Sequence, residues 1–148
     1  MSNLSAFLHP VQVSEEKEII ISDRFVQRDE KGEPVKDKAG NYIPVPFKIR
    51  SLTQEENDEL IKKARRTRKV NGQIQEYQDS IAYSRSLVVA ATVDPDFTSE
   101  EICKGYGVLD PNLVPAKMLH TGEYSKLVQA ITELSGFEDD LAADEAKN

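Results

Sequence analysis

Few residues in this 148-residue chain are of a type that does covalent or metal chemistry. There is one cysteine, Cys103, and there are two histidines, His9 and His120. A nucleophilic cysteine needs a base within hydrogen-bond reach and a further group to orient that base. His120 could be such a base, but no motif brings it to Cys103, so a structural cysteine is the expected role and a Cys103 hydrolase a remote one. A metal site on His9 or His120 would need further ligands at helical or loop spacing, and none stand there. Gly105-Tyr106-Gly107 is followed neither by a Lys-Ser/Thr pair nor by a third glycine at phosphate-loop spacing. The carboxylates concentrate at helix starts and near the end of the chain, where they cap, complement dipoles and solubilise. The expectation is therefore a non-enzyme, with no catalytic residue, no cofactor and no metal.

The other chemically pointed feature is a basic run. Residues 62–69 hold six bases in eight positions: Lys62, Lys63, Arg65, Arg66, Arg68 and Lys69. Such a run can meet phosphate backbones, which makes a small nucleic-acid-associated regulatory protein the alternative function. No aromatic is interleaved for stacking, and on a helix these bases would surround the axis. A solvated helix end is the simpler reading, with an acidic partner surface next.

Composition narrows the classes further. Acidic side chains outnumber basic ones 26 to 19, for a net charge of −7, which disfavours a general nucleic-acid coat or a binder of anionic membranes. Hydrophobic residues make up 39% and charged residues 30%, within the range of a folded domain. A chain of this length buries roughly 70% of its unfolded surface and needs no metal or disulfide to hold it. A lone cysteine excludes an internal disulfide. No stretch has the roughly 20 apolar residues of a membrane helix, and the N-terminus lacks the basic start and apolar core of a signal peptide. A reduced, cytoplasmic protein is expected.

The elements divide into three parts. Residues 1–50 are read as an N-terminal docking segment followed by a small antiparallel β hairpin or meander. In the docking segment Leu4, Phe7 and Leu8 stand at i, i+3 and i+4, so one helical turn sets them on one side, before Pro10. They either dock on the body or bind a partner. Residues 17–28 are read as strand from the run Ile19-Ile20-Ile21. Val45, Phe47 and Ile49 alternate with polar or proline positions, and Pro44 and Pro46 suggest an edge strand. Residues 51–137 are read as a helical domain of about five helices. Thr53-Gln54-Glu55-Glu56 is a capping box opening a helix to about Lys69. A second helix is predicted over 75–93, with its apolar end Leu87–Val93 at the centre of the core. Short helices follow from the capping box Thr98–Glu101 and from Asp110-Pro111 (residues 111–119). The last helix, 122–135, is capped by Thr121 and presents Tyr124, Leu127, Val128, Ile131 and Leu134. Gly136 suits its C′ position, with Phe137 as the accompanying apolar contact. Residues 138–148, with five acids, are read as an acidic flexible tail. The fold class expected is α+β.

Three segments together carry a family resemblance. Leu4-Ser5-Ala6-Phe7-Leu8 resembles the opening motif of the XkdN-like tail assembly chaperones of PBSX-type prophages. Ile21-Ser22-Asp23-Arg24-Phe25 with Val45-Pro46-Phe47-Lys48-Ile49-Arg50 resembles their β region. Gly122-Glu123-Tyr124 through Leu127 and Ile131 to Leu134-Ser135-Gly136-Phe137 resembles their last helix. The resemblance implies a chaperone that binds the tape measure protein, and possible tail tube contacts, in the host bacterial cytoplasm. It implies a protein absent from the mature virion, with no membrane and no nucleic acid among its partners. Self-association is compatible with it. The family supplies no catalytic residues, and Leu4, Phe7 and Leu8 are the candidate partner-binding residues.

Overall fold

Strand β2, Phe47–Arg50, is hydrogen-bonded on both sides. Its alternation sets Phe47 and Ile49 inward and leaves Lys48 and Arg50 half-exposed. The computed structural model describes residues 3–11 and 15–136. Within them β2 lies between β1, Glu16–Ile19, and β5, Thr92–Asp94, and both pairings are antiparallel. A bulge between Lys48 and Ile49 adjusts the register against β5. The prolines suggest an edge position, but the strand is central. Pro46 is the last residue before it, so neither proline removes a ladder hydrogen bond. The strand predicted over 17–28 is also shorter than expected: only Glu16–Ile19 pairs in the ladder.

Between β1 and β2 the chain makes two matching loops. Asp29 Oδ1 accepts from the amides of Lys31 and Glu33 at 2.9 and 3.0 Å. Asp37 Oδ1 accepts from Ala39 and Asn41 at the same two distances. Each loop closes through a glycine at positive φ, Gly32 at 83° and Gly40 at 85°, where a side chain would strain the backbone. Isolated bridges Val26–Pro44, Arg28–Pro34 and Lys36–Tyr42 hold the loops together.

The capping box opens α2, Gln54–Lys63, as its spacing predicts. Thr53 Oγ1 accepts from the Glu56 amide at 3.2 Å, and Glu56 Oε1 accepts from the Thr53 amide at 3.1 Å. The helix does not continue to Lys69. It ends at Lys63, and the basic run turns into β3, Arg65–Val70, paired in register with β4, Gln73–Gln78. Asn71 and Gly72, both at positive φ, make the two-residue turn. Asn-Gly is the preferred sequence for a tight hairpin, because both positions must adopt left-handed conformations. This hairpin replaces the first part of the helix predicted over 75–93. The helix proper, α3, is Ser80–Ala91, capped by Asp79, whose Oδ1 accepts from Ala82 at 3.1 Å.

The apolar end of α3 is at the centre as expected. Leu87, Val88 and Ala91 are buried with Phe47, Ile49 and Leu60. Val93 is an exception, because residues 92–94 belong to β5 and the alternation turns it outward. After the cis peptide Asp94–Pro95, Phe97 enters the core fully buried. Helix α4, Glu100–Gly105, is capped by Ser99, one residue later than the capping box at Thr98 predicts. The Thr98 hydroxyl instead donates to Asp96 at 2.6 Å. A 3-10 turn, Pro111–Leu113, leads into α5, Val114–Met118, and α6, Thr121–Leu134, closes the core with Leu127, Ala130 and Ile131. His120, not Thr121, is the N-cap of α6. Gly136 takes the positive φ of a C′ residue, at 84°. The expected Phe137 contact and the tail at 138–148 lie outside the described residues. The fold is α+β.

Two ion pairs fasten the N-terminal region to the helices. Arg50 donates to both carboxylate oxygens of Glu56, at 3.1 and 2.6 Å. Arg24 does the same to Glu123 at the start of α6, and donates to the Met118 carbonyl at 3.0 Å. The Arg50 hydrogen bonds, with the Thr53 amide, hold the Glu56 carboxyl down to about 2. Hydrogen bonds from Arg24 and Ser22 hold Glu123 well below the usual carboxylate range.

Two predictions follow from this packing. Phe97→Ala removes a fully buried ring and should cost about 3–5 kcal/mol in chemical denaturation; a loss below about 1 kcal/mol would show that the site collapses around the smaller side chain. Glu56 is ionised in the native state at lower pH than in the unfolded chain, so its stabilisation is complete above about pH 4.5 and is lost as pH falls toward 2. Because both partners are about a third exposed, Glu56→Gln should cost only about 0.5–1 kcal/mol at pH 7, and the variant and parent melting curves should converge near pH 2.

Candidate docking surface

The N-terminal residues form the turn that their spacing predicts. Helix α1 is Leu4–Leu8, with Ala6 N donating to Asn3 O and His9 N donating to Ser5 O, both at 3.0 Å. Asn3 makes no side-chain cap, and no residue of α1 is buried. Leu4, Phe7 and Leu8 are 59%, 81% and 63% exposed, and Val11 just beyond them is 89% exposed. An isolated helix of five residues is unstable in water, since nucleation costs more than so few hydrogen bonds return. Apolar side chains gathered on such a turn gain little from its own fold and much from a surface that covers them. The sequence pattern marks Leu4, Phe7 and Leu8; it does not mark Val11, which lies past Pro10 and outside the helical period.

Cys103 is buried, and its Sγ donates to the Phe97 carbonyl at 3.5 Å. The His120 side chain is mostly solvent-exposed, with its Nδ1 4.0 Å from a Glu123 carboxylate oxygen. His9 is the C-cap residue of α1. Among the described residues no three His, Cys, Asp or Glu side chains are grouped to hold a metal ion. No helix among them is long and apolar enough to cross a membrane.

The basic run is placed differently from its expected helix end. Lys62 and Lys63 finish α2, while Arg65, Arg66, Arg68 and Lys69 alternate along β3. Arg66 turns back and donates to the Lys63 carbonyl at 2.6 Å, satisfying a helix end that has no amide partner. Arg68 lies over the Tyr77 ring, 4.9 Å from its centroid. Reading the run as one helix hides this ribbon; the Val70-Asn71-Gly72-Gln73 turn is the signal that reveals it.

Sequence and structure comparisons agree with this arrangement. The sequence profile of the family described as phage XkdN-like tail assembly chaperone protein matches residues 4–147. The chain belongs to the XkdN-like tail assembly chaperones. The match takes in α1 at one end and all of α6 at the other. Within the family's neighbourhood, the phage-like element PBSX protein XkdN of Bacillus subtilis (strain 168) is 34% identical over 91% of this chain and 86% of its own length. The Bacillus subtilis protein YqbN is 35% identical over 92% of this chain and 86% of its own length. The crystal structure of YqbN superimposes with a TM-score of 0.67 at 30% identity, covering 92% of this chain and 98% of that one.

If α1 is a docking turn and not part of the core, the double substitution Phe7→Asp and Leu8→Asp should change the unfolding free energy by less than about 0.5 kcal/mol. Thermal melting followed by circular dichroism measures this; a loss above about 1.5 kcal/mol would place α1 in the folded body.

Proposed function

We propose that this tail assembly chaperone binds a phage tape measure protein and keeps it in solution while tail tube subunits assemble around it. The observation that carries the reading is α1, in a member of a tail assembly family. It is a short apolar turn with Phe7 and Leu8 mostly exposed, on a chain of net charge −7 whose body also exposes single apolar side chains such as Ile74, Ile81 and Leu109. Leu4, Phe7 and Leu8 are the contact residues in this proposal. A long helical partner with an apolar face aggregates when nothing covers that face, and a reversible apolar contact with a charged outer surface keeps it dispersed. The reading is of a non-enzymatic protein acting in the host bacterial cytoplasm, with the tail tube protein as a second partner. It leaves the assembly before the particle is complete. Self-association through the same apolar turn would compete with partner binding.

Co-expression with the tape measure protein from the same prophage tests this. The soluble fraction of the tape measure protein should rise at least several-fold, and the two should co-elute on gel filtration. Deleting residues 1–9 should abolish the gain while leaving the melting temperature of the chaperone nearly unchanged. Unchanged solubility with no complex would refute the reading.

A further inference from the structure

The β3–β4 ribbon has neither face covered. Every residue of both strands is exposed except Val70, which is half-buried. The ribbon is tied to the body at its base, where the Asp79 amide donates to the Ala64 carbonyl at 2.8 Å and Gln78 Nε2 donates to the Ile61 carbonyl at 3.3 Å. Strand β3 carries the bases Arg65, Arg66, Arg68 and Lys69. Among the described residues Arg65, Arg68 and Lys69 are in no ion pair, and Arg66 has only Asp79, at 3.9 Å. A two-stranded ribbon with both faces in water is only marginally stable, and like charges along one strand weaken it further. A third strand that brought acids would relieve both deficits.

The register fixes what the free edge of β3 offers. Val70 and Gln73 flank the two-residue turn, and in such a hairpin they are a hydrogen-bonded pair. Hydrogen-bonded and non-hydrogen-bonded pairs alternate, so Arg66 and Arg68 also turn their backbone groups toward β4, while Arg65, Thr67 and Lys69 turn theirs outward. The Arg65 carbonyl accepts from the Arg66 guanidinium at 3.1 Å. The outward groups of Thr67 and Lys69 meet no partner among the described residues. A strand added here lies about 4.8 Å from β3 and faces it residue for residue. Its residues opposite Arg65 and Lys69 fall on one face, and those opposite Arg66 and Arg68 on the other. Acids at these positions, with a gap opposite Thr67, each meet a base. The outer edge of β4 presents Ile74, Glu76 and Gln78 and has no such charge. A second copy of β3 is an unsuitable partner, because antiparallel pairing about Thr67 sets Arg65 against Lys69 and Arg66 against Arg68. A nucleic acid is unsuitable too: its backbone has no alternating N–H and C=O groups to match the edge, and a chain of net charge −7 repels long polyanions.

We propose that strand β3 is a docking edge for an extended acidic segment of a partner protein, which adds to the ribbon as a third strand. Backbone pairing holds the segment, and the bases on both faces select for acids. The contact uses no residue of α1, so its failure leaves the tape measure reading standing, and the failure of that reading leaves this one.

The test uses the full-length chain and a fluorescent peptide whose core, Glu-Glu-Val-Glu-Glu, is flanked by threonines. Fluorescence anisotropy should show saturable binding that weakens about tenfold or more as salt rises from 50 to 300 mM. A peptide with glutamines in place of the glutamates should not bind. Arg65→Gln with Lys69→Gln should weaken binding at least tenfold. Thr67→Pro removes one outward amide without changing the charge, at a kind of position where an edge strand tolerates proline. It should also weaken binding at least tenfold, with circular dichroism confirming the fold of both variants. A further check leaves the protein untouched. Of two peptides N-methylated on alternate amides, one on each edge, one should lose binding and the other keep it. No binding, parent-like binding by Thr67→Pro, or equal behaviour of the two methylated peptides overturns the proposal. Single-stranded DNA of equal charge binding as tightly as the peptide overturns it in favour of a nucleic-acid surface. A salt-sensitive dimer that the peptide disperses overturns it in favour of a second copy.

Discussion

Strand β2 is the constraint on which the rest of the structure depends. Four residues, Phe47–Arg50, are paired to β1 on one side and to β5 on the other, so segments more than 40 positions apart meet at one strand. The inward pair Phe47 and Ile49 shares one buried cluster with Val88 and Ala91 of α3 and with Leu127 and Ile131 of α6. Since α3 runs directly into β5, helix and strand are fixed together: the end of α3 cannot shift without breaking the β2–β5 ladder. A residue of each class is used where its chemistry requires. Thr92, the buried polar residue at the junction, gives its hydroxyl proton to the Val88 carbonyl at 2.7 Å, so no polar atom there is left unpaired.

The same strand carries the electrostatic ties. Arg50 at the end of β2 reaches Glu56 in the first turn of α2, and that glutamate also completes the capping box with Thr53. One carboxylate thus serves the helix start and the strand end. Arg24 and Glu123 repeat the device between the β region and α6, with the backbone amide of His120 as a further donor to Glu123. In both cases the helix N-terminus favours the carboxylate, and the arginine supplies the second tether. Individually such half-exposed pairs contribute little; their effect is to fix which helix lies against which strand.

Part of the capping chemistry and much of the core are legible in the residues, although Ser99 and His120 cap where Thr98 and Thr121 are expected. The Thr53–Glu56 box, Asp110-Pro111, the apolar face of α6 and the left-handed Gly136 all stand where their spacing predicts. The hairpin 65–78 was not legible in the same way. Acids before bases at 55–69 fit one long helix with a favourable dipole, and Lys and Arg have good helix propensity. Asn71-Gly72 outweighs them, because a turn that needs two left-handed residues fixes the chain direction locally, whereas propensity for exposed bases differs by only tenths of a kcal/mol per residue. Phe97 carries no sequence signal for another reason: it stands alone between Asp96 and Thr98, without periodicity, and its burial is decided by how the chain turns after β5. Of the exposed apolar residues near the N-terminus, Leu4, Phe7 and Leu8 can be read from helical spacing, while Val11 cannot.

In the proposed role the chaperone must let go of its partner, and a docking turn of this size would have a physical consequence for that. Burying three side chains such as Leu4, Phe7 and Leu8 yields about 5–9 kcal/mol in gross transfer free energy, at about 1.5–3 kcal/mol each. Association itself costs at least about 4 kcal/mol, and ordering a terminal segment adds to that cost. What is left, at most about 5 kcal/mol, corresponds to a dissociation constant in the millimolar range or weaker for a single contact. Many copies along one long partner convert such weak contacts into stable coverage, while each copy still leaves quickly when a competing surface arrives. A larger apolar face on the chaperone body would bind more tightly, but it would aggregate in the free protein and resist displacement by the next subunit. In the proposed role, a short, tethered turn meets both demands.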